Sequence, residues 1–183
     1  KNKNKNFIVL SLLPRISLLK NKNILLIAPK FYQYHTEIIN SMKKQGANVV
    51  FYQEDITTLS YRVFNKLFQD FAKKLKTKYL NTILNNIENN LYDIVFVIRG
   101  GILSPWALNT MKKKLPKAKF VMYQWDSMEQ SHYNSIIKYF DKVKTFDMSD
   151  SKIYNLNYHR FNSKSILISW PNLINDDVLF DVL

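Results

Sequence analysis

Cysteine is absent from these 183 residues. Disulfides and thiolate metal sites are thereby excluded, and an unstapled, cytoplasmic protein is the simpler expectation. Glycine is almost as scarce, with only Gly46, Gly100 and Gly101 in the whole chain. A dinucleotide-binding fingerprint or a phosphate-cradling P-loop needs several glycines in one turn, so this scarcity argues against both. The histidines, His35, His132 and His159, are scattered, and none forms an i, i+4 pair with another ligand. No metal site is expected. A long apolar run is also missing. Phe7 to Leu19 is split by Pro14-Arg15 and falls short of the ~20 residues a membrane-spanning helix needs. The basic start, Lys1 to Lys5, resembles that of a signal peptide, but no small-residue cleavage site follows. An interfacial anchor or an edge strand and turn fits better.

Acidic residues are few, 14 against 27 Lys and Arg, which leaves a net charge of +13. Such an excess favours an anionic partner, with a merely solvated lysine surface as the bland alternative. The lysines cluster at Lys73, Lys74, Lys76, Lys78 and at Lys112, Lys113, Lys114, in helical segments rather than beside a stacking platform. No RNA- or DNA-binding signature accompanies them. A membrane surface or a sugar-phosphate ligand therefore fits better than sequence-specific nucleic-acid readout. A hydrophobic content of 46% with 14% aromatics indicates a folded globule.

The chain is organised around Tyr92 to Ser127. Asp93 to Ile98 is a continuous β-branched run, which reads as a strand buried on both faces. It stops at Arg99-Gly100-Gly101, where the backbone can turn sharply. Ser104-Pro105 then provides an N-cap and a proline at the first helical position, and the helix should close at Pro116. A second strand, Lys119 to Tyr123, delivers Gln124-Trp125-Asp126-Ser127. Strand, helix and strand make one right-handed parallel crossover.

Elsewhere, Asn23 to Ala28 and Ala47 to Tyr52 read as strands around a helix from Gln33 to Lys44, with Gly46 as its terminator. Leu59 to Asn90 has helical periodicity with an aromatic stripe, Tyr61, Phe64, Phe68, Phe71 and Tyr79, expected in the core. One helix or two broken near Lys76-Thr77-Lys78 are equally compatible with it. A helix at His132 to Tyr139, a strand at Lys142 to Phe146, a turn capped by Asp150 and a last strand at Ser165 to Ser169 complete the count. The expected fold is α/β: a three-layer Rossmann-like domain whose mostly parallel sheet has about six strands in the order 2-1-3-4-5-6. Residues 1–22 form an N-terminal extension, 23–172 the domain, and 173–183 the start of a linker. The tail from Asn175 carries no terminating signal and reads as an interrupted end.

Ligands of open α/β sheets sit beyond the carboxyl ends of the strands. Asp126 is the sharpest candidate there, as a base toward a hydroxyl or a holder of one, unless it caps the next helix. Trp125 could stack on a sugar ring or belong to the core. Arg99 with the backbone N–H groups of Gly100 and Gly101 could bind an anion, against the alternative of a salt bridge to a loop carboxylate. Asp147 and Asp150 read as a cleft-lining pair, with helix capping as the alternative for Asp150. His35 lies near the switch point and is otherwise a surface histidine. Lys30 and Glu54 share the rim.

Tyr92 to Val97 followed by Arg99-Gly100, then Val121 to Ser127, then Val143 to Asp147 with Asp150 and Tyr154, resembles a group of bacterial GT-B glycosyltransferases. These are the spore-maturation (CgeB-like) enzymes and their capsule or lipopolysaccharide biosynthesis relatives. The likeness spans most of Asn23 to Trp170 as a pattern of strand ends rather than a strict motif. It implies the amino-terminal, acceptor-side half of a two-domain enzyme, with Arg99, Gly100, Asp126, Asp147 and Asp150 as cleft positions. A nucleotide sugar and a glycan acceptor would be its substrates, with no metal or other cofactor, because helix dipoles and basic side chains neutralise the leaving diphosphate. The donor-binding domain would follow in cis, and the basic surface would meet anionic lipid at the inner face of the plasma membrane. Two rivals stand beside this expectation. One is a non-catalytic α/β binding or regulatory module of receiver-like topology. In that case the strand ends Pro29-Lys30 and Arg99 lack the clustered carboxylates of a phosphoacceptor. The other is a nucleic-acid binder using the lysine helices.

Overall fold

The computed structural model describes residues 19–54 and 69–158. Three continuous apolar runs form the centre of the sheet: β1 (Asn23–Ala28), β3 (Ile94–Ile98) and β4 (Lys119–Gln124). All five residues of β3 are buried, as are the last five of β1 and of β4. A strand buried on both faces cannot alternate apolar with polar residues, which is why these runs are unbroken. β2 (Asn48–Gln53) flanks β1, and β5 (Lys142–Thr145) flanks β4. The order is β2-β1-β3-β4-β5-β6, and every pairing is parallel. This is the Rossmann-like, flavodoxin-type arrangement expected, with its order reversing between β1 and β3.

β6 is Asn157–Tyr158, paired through Lys144↔Asn157 and Thr145↔Tyr158. The strand expected at Ser165 to Ser169 lies outside the described residues, as do the N-terminal apolar run up to residue 18 and the aromatics Tyr61, Phe64 and Phe68. Two exposed residues, an asparagine and a tyrosine, are too short a run to show a hydrophobic period, so β6 is silent in the sequence.

Helices cover both faces of the sheet. On one, α1 (Tyr34–Lys44) brings Ile38 and Met42 against Ile24, Leu26, Ile94, Phe96 and Ile98. On the other, α2 (Gln69–Asn86) and α3 (Pro105–Lys114) bring Leu80, Ile83, Ala107, Leu108 and Met111 against Leu25, Ile27, Val95 and Val97. Alternate residues of each strand thus serve opposite cores. Full burial of each such aliphatic side chain stabilises the fold by about 1.5–3 kcal/mol.

Local chemistry sets the helix ends. Gly46 lies just past α1 at φ +88°, the left-handed conformation that glycine adopts without strain. Ser104 accepts from Ala107 N at 3.3 Å and Pro105 opens α3. α2 runs unbroken through Lys76-Thr77-Lys78. The expected aromatic stripe is corrected at Phe71, which is 46% exposed while its neighbour Ala72 is buried. The helix expected at His132 to Tyr139 is present as a 3-10 helix, with a separate short α-helix before it. α4 (Met128–Ser131) ends at His132 with φ +47°, and a 3-10 helix follows over Tyr133–Tyr139. The cap expected at Asp150 belongs to Asp147, whose Oδ1 accepts from Ser149 N at 2.8 Å and Asp150 N at 2.9 Å at the start of α5 (Met148–Ile153). β5 ends earlier than its apolar pattern suggests, which moves the cap upstream.

Candidate functional site at the carboxyl ends of the strands

Beyond β3, Arg99 and Gly100 both take positive φ, +72° and +75°. For arginine this conformation costs roughly 1–2 kcal/mol, so something must hold it. Arg99 N donates to Tyr123 O at 3.0 Å, and Gln124 Nε2 donates to Arg99 O. From the other side Glu54, which follows β2, receives Arg99 Nε at 3.3 Å on both oxygens and Ile102 N at 3.3 Å. The Glu54 side chain is fully buried and that of Arg99 is 28% exposed. Gly101 permits this approach, since a Cβ there would lie 3.0 Å from Glu54 Oε1. Lys76 of α2 donates to Gly101 O at 2.9 Å. Burial pulls its pKa below the ordinary lysine value, and the nearby Glu54 charge partly opposes that.

The anion cradle expected at Arg99-Gly100-Gly101 is therefore largely taken up by the protein itself. Arg99 N and Gly100 N are bonded to Tyr123 O and Ile98 O, and Ile102 N to Glu54. The salt bridge to a loop carboxylate, weighed above as the alternative for Arg99, is what forms. Glu54 is the residue that sequence reading undervalued. Its partner lies 45 positions away, and no local pattern signals such a pairing.

A second group gathers at the tips of β1 and β4. Phe31 stacks on Tyr34 with ring centroids 6.0 Å apart and planes 17° from parallel. Tyr32 meets Phe31 edge-on at 4.7 Å, and Trp125 approaches it at 6.4 Å. Phe31 is 53% exposed and Tyr32 81%, while Trp125 is half-buried against the α1-side core. An exposed aromatic cluster of this kind offers π faces to a flat or ring-shaped ligand. His35, in the first turn of α1, stacks instead on Phe51 at 5.3 Å. Burial, with the Lys30 charge adding to it, lowers the His35 pKa and favours the neutral ring.

The third group surrounds a cleft of about 500 Å³ above β4 and β5, lined among others by Ser127, Glu129, His132, Asp147, Asp150 and Tyr154. Asp150 is buried, and its Oδ2 accepts from Met128 N at 2.6 Å and from the Tyr133 hydroxyl at 3.0 Å. Burial, and the hydrogen bond and charge of Asp150, push the Tyr133 phenol far above its usual range, although a hydrogen bond with Thr145 pulls the other way. Asp126 is half-buried between Trp125 and Ser127, and the helix-capping position is that of Ser127.

The single trough expected for Arg99, Trp125 and the acids is thus divided. Arg99, Gly100 and Gly101 cluster with Glu54 and Lys76 on the α2 side, Trp125 joins the β1 aromatics on the α1 side, and Asp147 and Asp150 share the cleft with Ser127. Neither Arg99, Trp125, Asp126 nor His35 lines that cleft. Among the described residues no group of three His, Asp or Glu could hold a metal ion, and no helix is long and apolar enough to cross a membrane.

No family model and no curated protein matches the chain. Among solved structures, it is similar to a response regulator from Thermotoga maritima at 13% identity and a TM-score of 0.38, over 73% of this chain and 96% of that one. It is also similar to a protein described as pilus assembly-related from Burkholderia pseudomallei, at 10% identity and a TM-score of 0.36, over 81% and 98% of the two chains. These likenesses concern the arrangement of strands and helices, and they carry no argument about activity.

Proposed function

We propose that this chain is the acceptor-side half of a GT-B-type glycosyltransferase, serving transfer from a nucleotide sugar to a cell-surface polysaccharide or lipid-linked glycan. The observation that carries the reading is the aromatic group at the carboxyl edge of the sheet, in which exposed Phe31 and Tyr32 stand on the half-buried Tyr34 and Trp125. Pyranose rings present apolar C–H faces, and stacked aromatic side chains are the surface that recognises them. In this reading Asp126, next to Trp125, is the candidate base toward an acceptor hydroxyl. The excess of 13 positive charges suits work at the inner face of the plasma membrane.

Titrating the full chain with neutral oligosaccharides, while following the Trp125 indole N–H by NMR, tests this directly. Saturable shifts are expected, and Trp125→Ala, followed through the amides of Phe31 and Tyr34, should weaken binding roughly two- to tenfold, from the ~0.5–1.5 kcal/mol that one aromatic contact contributes. No shift with any glycan, together with tight, steeply salt-dependent binding of single-stranded DNA or RNA, would replace this reading by nucleic-acid binding.

A further inference from the structure

Charge in this chain is sorted by the direction of its strands. Every strand pairing is parallel and helices return between them, so strand starts and helix ends share one edge of the sheet. Backbone bonds tie that edge together. Asn21 N donates to Gly46 O at 2.9 Å, Asn90 N to Lys114 O at 3.1 Å and Asp141 N to Phe120 O at 2.8 Å. The segments entering β1, β4 and β5 bring Lys20, Lys22, Lys117, Lys119 and Lys142 to it, and the last turns of α1, α3 and the 3-10 helix add six more lysines. Of the 19 lysines and arginines among the described residues, 11 therefore lie at this edge, against three of the ten carboxylates, Glu88, Asp93 and Asp141. Everywhere else eight cations face seven acids. Two of the three edge carboxylates also turn to the fold, where Asp93 Oδ2 accepts from Asn23 N at 2.8 Å and Asp141 Oδ2 from Phe120 N at 2.7 Å. α1, α2 and α3 end here, each with about half a negative charge at its C-terminus, and balancing them takes far fewer lysines than the surplus of eight.

Such an edge fits an anionic partner, and three features favour lipid over nucleic acid. All 11 of its cations are lysines, point charges suited to a diffuse anionic surface, whereas arginine is the side chain that grips a single phosphate bidentately. The exposed aromatics Phe31, Tyr32, Phe71 and Trp106 lie toward the opposite edge, so among the described residues no stacking platform for bases accompanies the lysines. The largely apolar stretch Phe7 to Leu18, behind Lys1, Lys3 and Lys5, joins the fold through Leu19 and Lys20 at this same edge. We infer that the edge formed by the strand starts is the surface that lies against an anionic bilayer. The carboxyl edge, with the aromatic group and Asp126, then faces away from the lipid. The inference rests on the proposed function only for the membrane setting; it adds the face that meets the membrane and needs no glycan.

The test compares two full-chain variants of equal charge on vesicles of equal parts phosphatidylserine and phosphatidylcholine at ~0.1 M salt. One variant neutralises four exposed lysines of this edge, Lys43→Gln, Lys44→Gln, Lys113→Gln and Lys117→Gln. The other neutralises four exposed lysines elsewhere, Lys30→Gln, Lys73→Gln, Lys74→Gln and Lys152→Gln. Far-UV circular dichroism checks that both are folded. The edge variant should lose a hundredfold or more in vesicle partitioning, because each lysine near an anionic surface contributes a several-fold factor. The control should lose less than a tenth as much. Equal losses in the two variants would show that net charge and not this edge drives binding, and would overturn the inference. So would wild-type binding by the edge variant, which would leave the apolar N-terminal stretch as the contact. Tighter binding of duplex DNA or RNA than of vesicles at the same salt, lost in the edge variant alone, would assign the edge to nucleic acid instead. Glycans that leave the Trp125 indole still while the edge variant alone detaches from lipid would sink the acceptor reading and keep the lipid edge. Glycan shifts with no difference between the two variants on vesicles would do the reverse.

Discussion

At the residue scale, Glu54 ties the end of β2 to the turn that follows β3. A fully buried carboxylate is tolerated only when paired and hydrogen-bonded, and here it receives the Arg99 Nε–H and the Ile102 amide. Removing it strands a buried backbone N–H and releases a strained arginine. Glu54→Ala should therefore cost about 2–4 kcal/mol, read as a lower urea midpoint. Glu54→Gln, which can still accept from Ile102 N, should cost less than half as much. Equal losses would show that the charge carries the whole effect and that the side chain's volume and its bond from Ile102 N contribute nothing. Little of this was legible beforehand. The glycines at 100 and 101 announced a turn, but what they make room for comes from the end of a different strand. Arg99 could equally have faced solvent.

At the scale of elements, the central strands and α3 could be read directly because their signals are local and redundant. Unbroken apolar runs mark β1, β3 and β4, and the Ser104-Pro105 pair marks the start of α3. The cap expected at Asp150 fell instead to Asp147, because β5 lets go of the sheet one residue earlier than its apolar pattern suggests. Capping gives its own test. Asp147→Ala should destabilise by about 1 kcal/mol while Asp147→Asn stays near wild type, measured by thermal unfolding. A basic run likewise concealed a structural task. Lys114 donates to Leu84 O at 2.6 Å and to Ile87 O at 3.2 Å, so a lysine of α3 satisfies carbonyls at the C-terminal end of α2. Counting that lysine only as surface charge would miss its role.

At the scale of the whole molecule, charge is distributed unevenly. The chain carries +13 overall, yet the cleft over β4 and β5 holds three of its 14 acidic residues. Polybasic surfaces gain about 1 kcal/mol per lysine near an anionic bilayer, and salt screens that attraction. Cosedimentation with phosphatidylserine vesicles should therefore be strong at low ionic strength and mostly lost near ~0.5 M salt. Vesicles of phosphatidylcholine alone should not bind. Retention on the neutral vesicles at high salt would point to insertion of apolar groups and count against an electrostatic contact.

The bend at Arg99 is clasped from two distant stations on the chain. Glu54 grips it from upstream, and Tyr123 O with Gln124 grips it from downstream. A polypeptide released before Tyr123 would already contain Arg99-Gly100-Gly101 but only half of its clasp. The full clasp on the left-handed kink therefore requires the fourth ribbon beside the third.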